Sequence, residues 1–225
     1  MNLFIVATPI GNLGDITFRA IEILQSVDLV AAEDTRTAKK LFAKFDIHTP
    51  FTSFHAHSTD RSVEKLVEKM KSGKSVALIS EAGTPGISDP GFALIQKAIA
   101  AGIEVVPIPG ACAAVVALSA SGLPIDKFLF LGFLPRKKGK KTLLESLRGE
   151  RRTVVFYESP HRILKTISEL RETLGDERKI VFARELTKMH EEFFRGNLAE
   201  AVDFLNSKKV RGEFTVVLGG IDKKA

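Results

Sequence analysis

Two acidic residues stand where an apolar run stops. Leu29–Ala32 reads as a short buried strand, and Glu33-Asp34-Thr35-Arg36 comes directly after it. Carboxylates at the carboxyl end of a strand sit where open α/β sheets place their chemistry. There they can accept a proton or orient a cation, and Asp34 or Thr35 can also cap the next helix. A second group lies in residues 80–91, SEAGTPGISDPG, after the apolar run Val76–Ile79. Its glycines let backbone approach a ligand closely, and its prolines fix the path of the chain. Strand-to-helix connections usually take about 2–6 residues, so a loop this long reads as functional. His55 and His57, in the alternating stretch FTSFHAH, share one face of an extended segment. With no third ligand close by in sequence, they read as a polar rim, and no metal is expected.

The elements that must position these groups are read from periodicity. Leu3–Ala7, Leu29–Ala32, residues 51–57, Val76–Ile79 and Glu104–Ile108 are strand-like runs. Helical faces alternate with them: Ile16, Ala20, Ile21 and Leu24, with Asp15 as cap; Val63, Leu66, Val67 and Met70; Phe92, Ile95, Ala98 and Ile99. This alternation predicts a mainly parallel sheet covered by helices over residues 1–118. The loop after the first strand, Thr8–Asp15, is a second Gly/Pro-rich turn. It is not the dinucleotide fingerprint, and no phosphate-binding lysine motif appears. Small residues after Glu104–Ile108, Pro109–Ala114, leave room for a flat ligand or for tight packing. Cys112 reads as an apolar wall residue.

Ser119–Lys127 reads as a linker, and residues 119–225 as a second α/β domain. Its strands are Phe128–Gly132, Thr153–Tyr157, Ile180–Ala183 and Phe214–Leu218, with Glu192–Arg195 extended and Leu198–Leu205 helical. Ser159 and Pro160 read as the N-cap and first position of a helix through Ile163, Ile167 and Leu170.

Length and composition bound the rest. A chain of 225 residues with 44% hydrophobic content builds a sizeable core. No apolar run is long enough to span a membrane, and the N-terminus lacks the pattern of a signal peptide. A single cysteine excludes an internal disulfide and fits a reducing cytoplasm. The net charge of +6 favours anionic partners. Arg136, Lys137, Lys138, Lys140 and Lys141 crowd one predicted loop, and Lys39 and Lys40 one helix. With Arg162 they are the expected contacts to phosphate, nucleic acid being the common anionic partner.

Taken in order, ATPIGNLGDIT, AAEDTR, SEAGTPGISDPG, PGACAA, SGLP, FLGFLPRK, FYESPHR, ARELTK with HEEF, and VRGEF span nearly the whole chain. This set resembles the bacterial ribosomal RNA small-subunit methyltransferase I family of the tetrapyrrole methylase superfamily. The resemblance implies two α/β domains with S-adenosylmethionine in the cleft between them, and a homodimer. It implies 2′-O-methylation of a cytidine ribose in the decoding region of small-subunit (16S) ribosomal RNA, free or in the assembled 30S subunit. Many members carry an additional helical C-terminal segment. Here a short charged tail comes after Gly219-Gly220, and any RNA contact made by that segment is missing here or is supplied elsewhere. Carried over by motif, the cofactor-binding positions are Pro9, Ile10, Thr84, Pro85, Ile87, Ala111, Cys112, Tyr157, Glu185 and Phe214.

Methyl transfer to a ribose hydroxyl is an in-line displacement that a nearby base assists. Glu33, Asp34, His55 and Glu81 are the candidate bases, with Asp34 first. Arg36 is the candidate for orienting phosphate or carboxylate. Two other readings stay open: a small-molecule tetrapyrrole methyltransferase, and a cofactor-sensing RNA-binding module without catalysis. Methyl incorporation into RNA separates both from the first.

Overall fold

The computed structural model describes residues 2–55 and 59–221. His57 lies outside the described residues. The chain forms two compact units, Met1–Cys112 and Ala113–Ala225.

The first unit holds five strands: β1 (Asn2–Val6), β2 (Leu29–Ala32), β3 (Phe51–Ser53), β4 (Val76–Ile79) and β5 (Glu104–Ile108). They form one sheet in the order β3-β2-β4-β1-β5, and every neighbouring pair is parallel. Helices α1 (Phe18–Ser26) and α2 (Thr35–Lys44) cover one face; α3 (Asp60–Lys71) and α4 (Phe92–Ala100) cover the other. Leu78 packs under α3 and α4, while Ala77 and Ile79 pack under α1 and α2. Burial on both faces explains why β4 is an unbroken apolar run. The chain leaves β1 toward one face and the adjacent β4 toward the other. This change of face between neighbouring strands makes the carboxyl edge beside β1 and β4 a topological switch point.

Local details depart from the sequence reading. Residues Leu13–Asp15 form a 3-10 turn, and Thr17 rather than Asp15 caps α1, accepting from the Ala20 amide at 3.1 Å. The third strand is shorter than residues 51–57: its ladder on β2 ends at Ser53.

The second unit contains α5 (Ala113–Ser119), β6 (Phe128–Phe133), α6 (Lys140–Ser146), β7 (Thr153–Glu158), α7 (Ile163–Leu174), β8 (Lys179–Arg184), β9 (Glu192–Asn197), α8 (Leu198–Asn206) and β10 (Phe214–Leu218). The sheet order is β6-β7-β10-β8-β9; only β6 and β7 run parallel. Phe156, Phe182, Val216 and Leu218 meet α6, α7 and α8 in its main core. Helix α5 packs on β7 and β10, so it groups with this unit although the sequence places it in the first. The segment read as a linker is fastened. Arg195 donates to the Ala120 carbonyl at 2.6 Å, and the Thr153 hydroxyl donates to that of Pro124. Helix α7 starts at Ile163, later than Pro160, because residues 159–162 close a separate turn on the Ser159 carbonyl. Among the described residues, no helix is long and apolar enough to cross a membrane.

Candidate functional site at the carboxyl edge of the first sheet

Three loops are tied together at this edge. Thr8 and Gly83 exchange backbone hydrogen bonds of 2.9 and 3.0 Å, joining the loops after β1 and β4. The Thr84 hydroxyl donates to the Ala111 carbonyl at 3.0 Å, adding the loop after β5. Gly83 has φ +83°, and a Cβ there would sit 3.3 Å from Ile10 Cγ2. A Cβ on Gly110 would lie 2.8 Å from that of Ala7, so β5 delivers its loop in direct backbone contact with the end of β1. Pro9, Ile10, Thr84, Pro85 and Ala111 are thus gathered in one place, with Cys112 at the end of the third loop and Ile87 exposed beyond the second. Thr8 adds a residue that sequence reasoning did not single out. It is 5% exposed, and its hydroxyl makes no hydrogen bond among the described residues. Burying such a group unpaired costs about 1–3 kcal/mol. A polar ligand atom would relieve that cost, so this loop set fits a small polar cofactor.

The acids cluster beside it. Glu33 accepts from the Glu81 amide at 3.2 Å, linking the ends of β2 and β4. Asp34 caps α2, accepting from the Arg36 amide at 2.7 Å, and holds the Arg36 guanidinium through both carboxylate oxygens at 3.3 and 2.8 Å. Those contacts hold the Asp34 carboxyl down at about 2, which makes it a poor proton acceptor. Asp34 therefore holds Arg36 in place at the start of α2. Asp89, which the sequence reading left unassigned inside its own loop, behaves in the opposite way. Burial, then the nearby charge of Glu33, push its carboxyl up to about 6, against a hydrogen bond from Ser80. The acid in SDPG was the available signal. Its burial and its nearness to Glu33 come from folding and cannot be read from spacing. His55 is exposed just past β3.

In the second unit, Tyr157, Glu185 and Phe214 lie at one end of the sheet, where β7 and β8 finish and β10 begins. The Tyr157 hydroxyl accepts from the Ala114 amide at 3.2 Å. The Glu185 carboxylate accepts from the Glu213 amide and from Lys188, both at 3.0 Å. Phe214 is buried in the core against Phe182, so only its backbone can meet a ligand.

The expected RNA contacts divide into two groups. Lys39, Lys40, Arg136, Lys137, Lys138 and Lys141 are exposed. Lys140 is not: its ammonium is buried, 2.8 Å from the Thr166 hydroxyl and 2.7 Å from the Glu169 carboxylate. Thr166 donates onward to Glu158 at 2.8 Å, and Arg162 reaches the same Glu158 oxygen at 3.1 Å. Arg162 also donates to the Leu134 and Pro135 carbonyls. Lys140 and Arg162 therefore hold the base of the basic loop and are removed from the phosphate contacts. Helix α6 begins at Lys140, and its first turn carries the lysine inward.

Residues 2–202 match the tetrapyrrole (corrin/porphyrin) methylase family. The chain belongs to that family. Within it, the sequence relatives place the chain in the ribosomal RNA small-subunit methyltransferase I family. A protein of that name from Synechocystis is 51% identical over 97% of this chain and 78% of its own length. One from Bacillus subtilis is 51% identical over 97% and 75%, and one from Thermotoga maritima 48% over 97% and 98%. Among solved structures, a diphthine synthase superposes with TM-score 0.77 at 16% identity, covering 97% of this chain and 90% of its own. A cobalt precorrin-4 methyltransferase does so with TM-score 0.71 at 18%, covering 97% and 94%. A uroporphyrin-III C-methyltransferase from Thermus thermophilus, in complex with S-adenosylhomocysteine, gives 0.67 at 18%, covering 97% of each. At these identities the family likeness among solved structures is one of fold.

Unfolding measurements can check two features of this arrangement. Replacing Lys140 with alanine strands the buried end of its network and is expected to cost about 3 kcal/mol in urea unfolding. Lys141→Ala, exposed, should change stability by no more than about 0.5 kcal/mol, and equal effects at the two positions would contradict the burial pattern. Asp89 titrates higher folded than unfolded, so its ionised form opposes folding. That cost is absent below the ordinary value of 3.8 and complete above about 6. Asp89→Asn is therefore expected to raise stability by roughly 2 kcal/mol at pH 8 and by almost nothing at pH 4. A loss of stability at pH 8 would show that the ionised carboxylate is needed for folding.

Proposed function

We propose that this protein uses S-adenosylmethionine to methylate small-subunit ribosomal RNA, at the 2′-oxygen of a cytidine ribose in the decoding region. It works in the cytoplasm as a homodimer, on free RNA or the assembled 30S subunit. The observation that carries this reading is the match, along 97% of the chain, to relatives that bear the rRNA methyltransferase name. The geometry supports it from below. The three tied loops supply backbone and the Thr8 hydroxyl for the cofactor, and Pro9, Ile10, Thr84, Pro85, Ile87, Ala111 and Cys112 line that place. Tyr157, Glu185 and the Phe214 backbone are the contributions proposed from the second unit.

When bound, the cofactor supplies an electrophilic methyl group. The chain must orient a ribose hydroxyl and hold its proton. Asp89 is the proposed base, since a carboxylate that titrates near 6 is a far better acceptor than one near 2. Burial first, then the charges of Glu33 and Glu81, keep Asp89 basic, and Asp34 aims Arg36 at a phosphate. His55 stands at the rim. The exposed cations Lys39, Lys40, Arg136, Lys137, Lys138 and Lys141 suit a polyanion better than a tetrapyrrole with a few carboxylates.

The test mixes the protein and labelled cofactor with unmodified small ribosomal subunits and with free RNA, and maps the label by nucleotide. Label on one ribose of the decoding region is expected. Asp89→Asn should lower the transfer rate by about a hundredfold or more without weakening cofactor binding. The wild-type rate should rise with pH through about 6, because the base works only when ionised. No label on RNA or subunits, with the cofactor still bound, would overturn the reading.

A further inference from the structure

Strand β6 carries an irregularity that changes where its last aromatic residue points. Phe130 pairs with Val155, but Phe133 pairs with Tyr157, so β6 holds an extra residue between these positions. Gly132 absorbs it at φ +59°. Leu129 and Leu131 pack against the core; in an uninterrupted strand Phe133 would join them there. The bulge instead turns Phe133 to the opposite face, the one Phe130 occupies. Both rings flank Tyr157, at centroid distances of 5.3 Å for Phe130 and 5.5 Å for Phe133. Phe133 remains 60% exposed there, while the next residue, Leu134, returns to the core. Bulges are often used to re-aim a side chain beside a functional site.

The residues after Phe133 indicate the chemistry of its partner. Arg136, Lys137 and Lys138 are exposed close behind it, and the Arg162 guanidinium grips the Leu134 carbonyl at 2.8 Å, fixing the root of the loop. A rigid, exposed aromatic ring at the base of a cationic loop is how proteins hold an unpaired nucleobase: the ring stacks the base and the cations take the flanking phosphates. The cofactor is a poorer match for this place, since it has no phosphate and carries a positive sulfonium.

Resting on the methyltransferase reading above, we propose that Phe133 is a stacking platform for an unpaired base of the RNA substrate. The chain has no tryptophan, so Phe133→Trp introduces a single indole as a reporter. The probe is an unmodified transcript of small-subunit ribosomal RNA. Phe133→Ala is expected to weaken its binding about tenfold with the salt dependence unchanged, because stacking displaces no counterions. Neutralising Arg136, Lys137 and Lys138 should instead flatten the salt dependence. Phe133→Trp should bind within about twofold of the wild type, and its emission should be quenched as RNA is added. The proposal is overturned by unchanged RNA affinity in Phe133→Ala together with an emission that RNA does not move. It is also overturned by weakened cofactor binding in place of weakened RNA binding, or by a change in oligomeric state, which would make the ring an interface residue. If the wild type methylates the transcript while Phe133→Ala binds it equally well, only the stacking site fails. Where the wild type acts only on assembled small subunits, the same variants are compared on those; if it neither binds nor methylates either substrate, the methyltransferase reading fails first and the platform with it.

Discussion

Two backbone hydrogen bonds between Thr8 and Gly83 hold the candidate site together. They join loops that the sheet would otherwise send to opposite faces, since β1 and β4 lie side by side but lead to helices on different sides. Once this bridge is closed, the third loop locks onto it through Thr84 and Ala111. Gly83 meets the requirement for φ +83°, where an L side chain is strained and would also press on Ile10. The bridge leaves the Thr8 side chain buried with its hydroxyl unsatisfied among the described residues. Native interiors rarely leave such a group without a purpose, and a ligand atom is the natural partner at the mouth of a parallel sheet.

Strands were legible because their signal is local. Val76–Ile79 is apolar throughout and Phe214–Leu218 apolar but for Thr215 because both of their faces are buried, and they fall where the sequence pattern puts them. Gly/Pro-rich stretches likewise marked the loops that converge at the first sheet's carboxyl edge. The tertiary consequences of single residues were not legible. Asp89 lies in a loop that stood out at once, yet its raised proton affinity depends first on burial and then on Glu33, which follows another strand. The bulge was marked only by Gly132, a glycine within the strand pattern that read instead as the strand's end.

The basic run at residues 136–141 shows why a cluster of charges in sequence is not a cluster on the surface. Helix α6 starts at Lys140, so the next positions take a period of about 3.6 residues and no longer that of an extended loop. That change turns Lys140 toward Thr166 and Glu169 while Lys141 stays in water. A buried ammonium is tolerable only with such partners, and Thr166 passes the connection on to Glu158 and Arg162. Two of the chain's cations thus build a rigid base, and their neighbours in sequence remain available for an anion.

This division of labour bears on specificity. Exposed lysines and arginines bind any polyanion, and their contribution fades as salt rises. A site that must choose one position in an RNA needs contacts that salt does not screen and that only a certain geometry can reach. Fixed groups do that better than mobile ones, because less order has to be imposed at the moment of binding. Arg36 is held by both oxygens of Asp34, and Phe133 is set by a bulge on one side and by the anchored Leu134 on the other. Each sits next to exposed cations, Lys39 and Lys40 in the first case, Arg136 to Lys138 in the second. In both places the flexible charges can attract a nucleic acid from a distance, and the fixed group can test whether it has arrived in register.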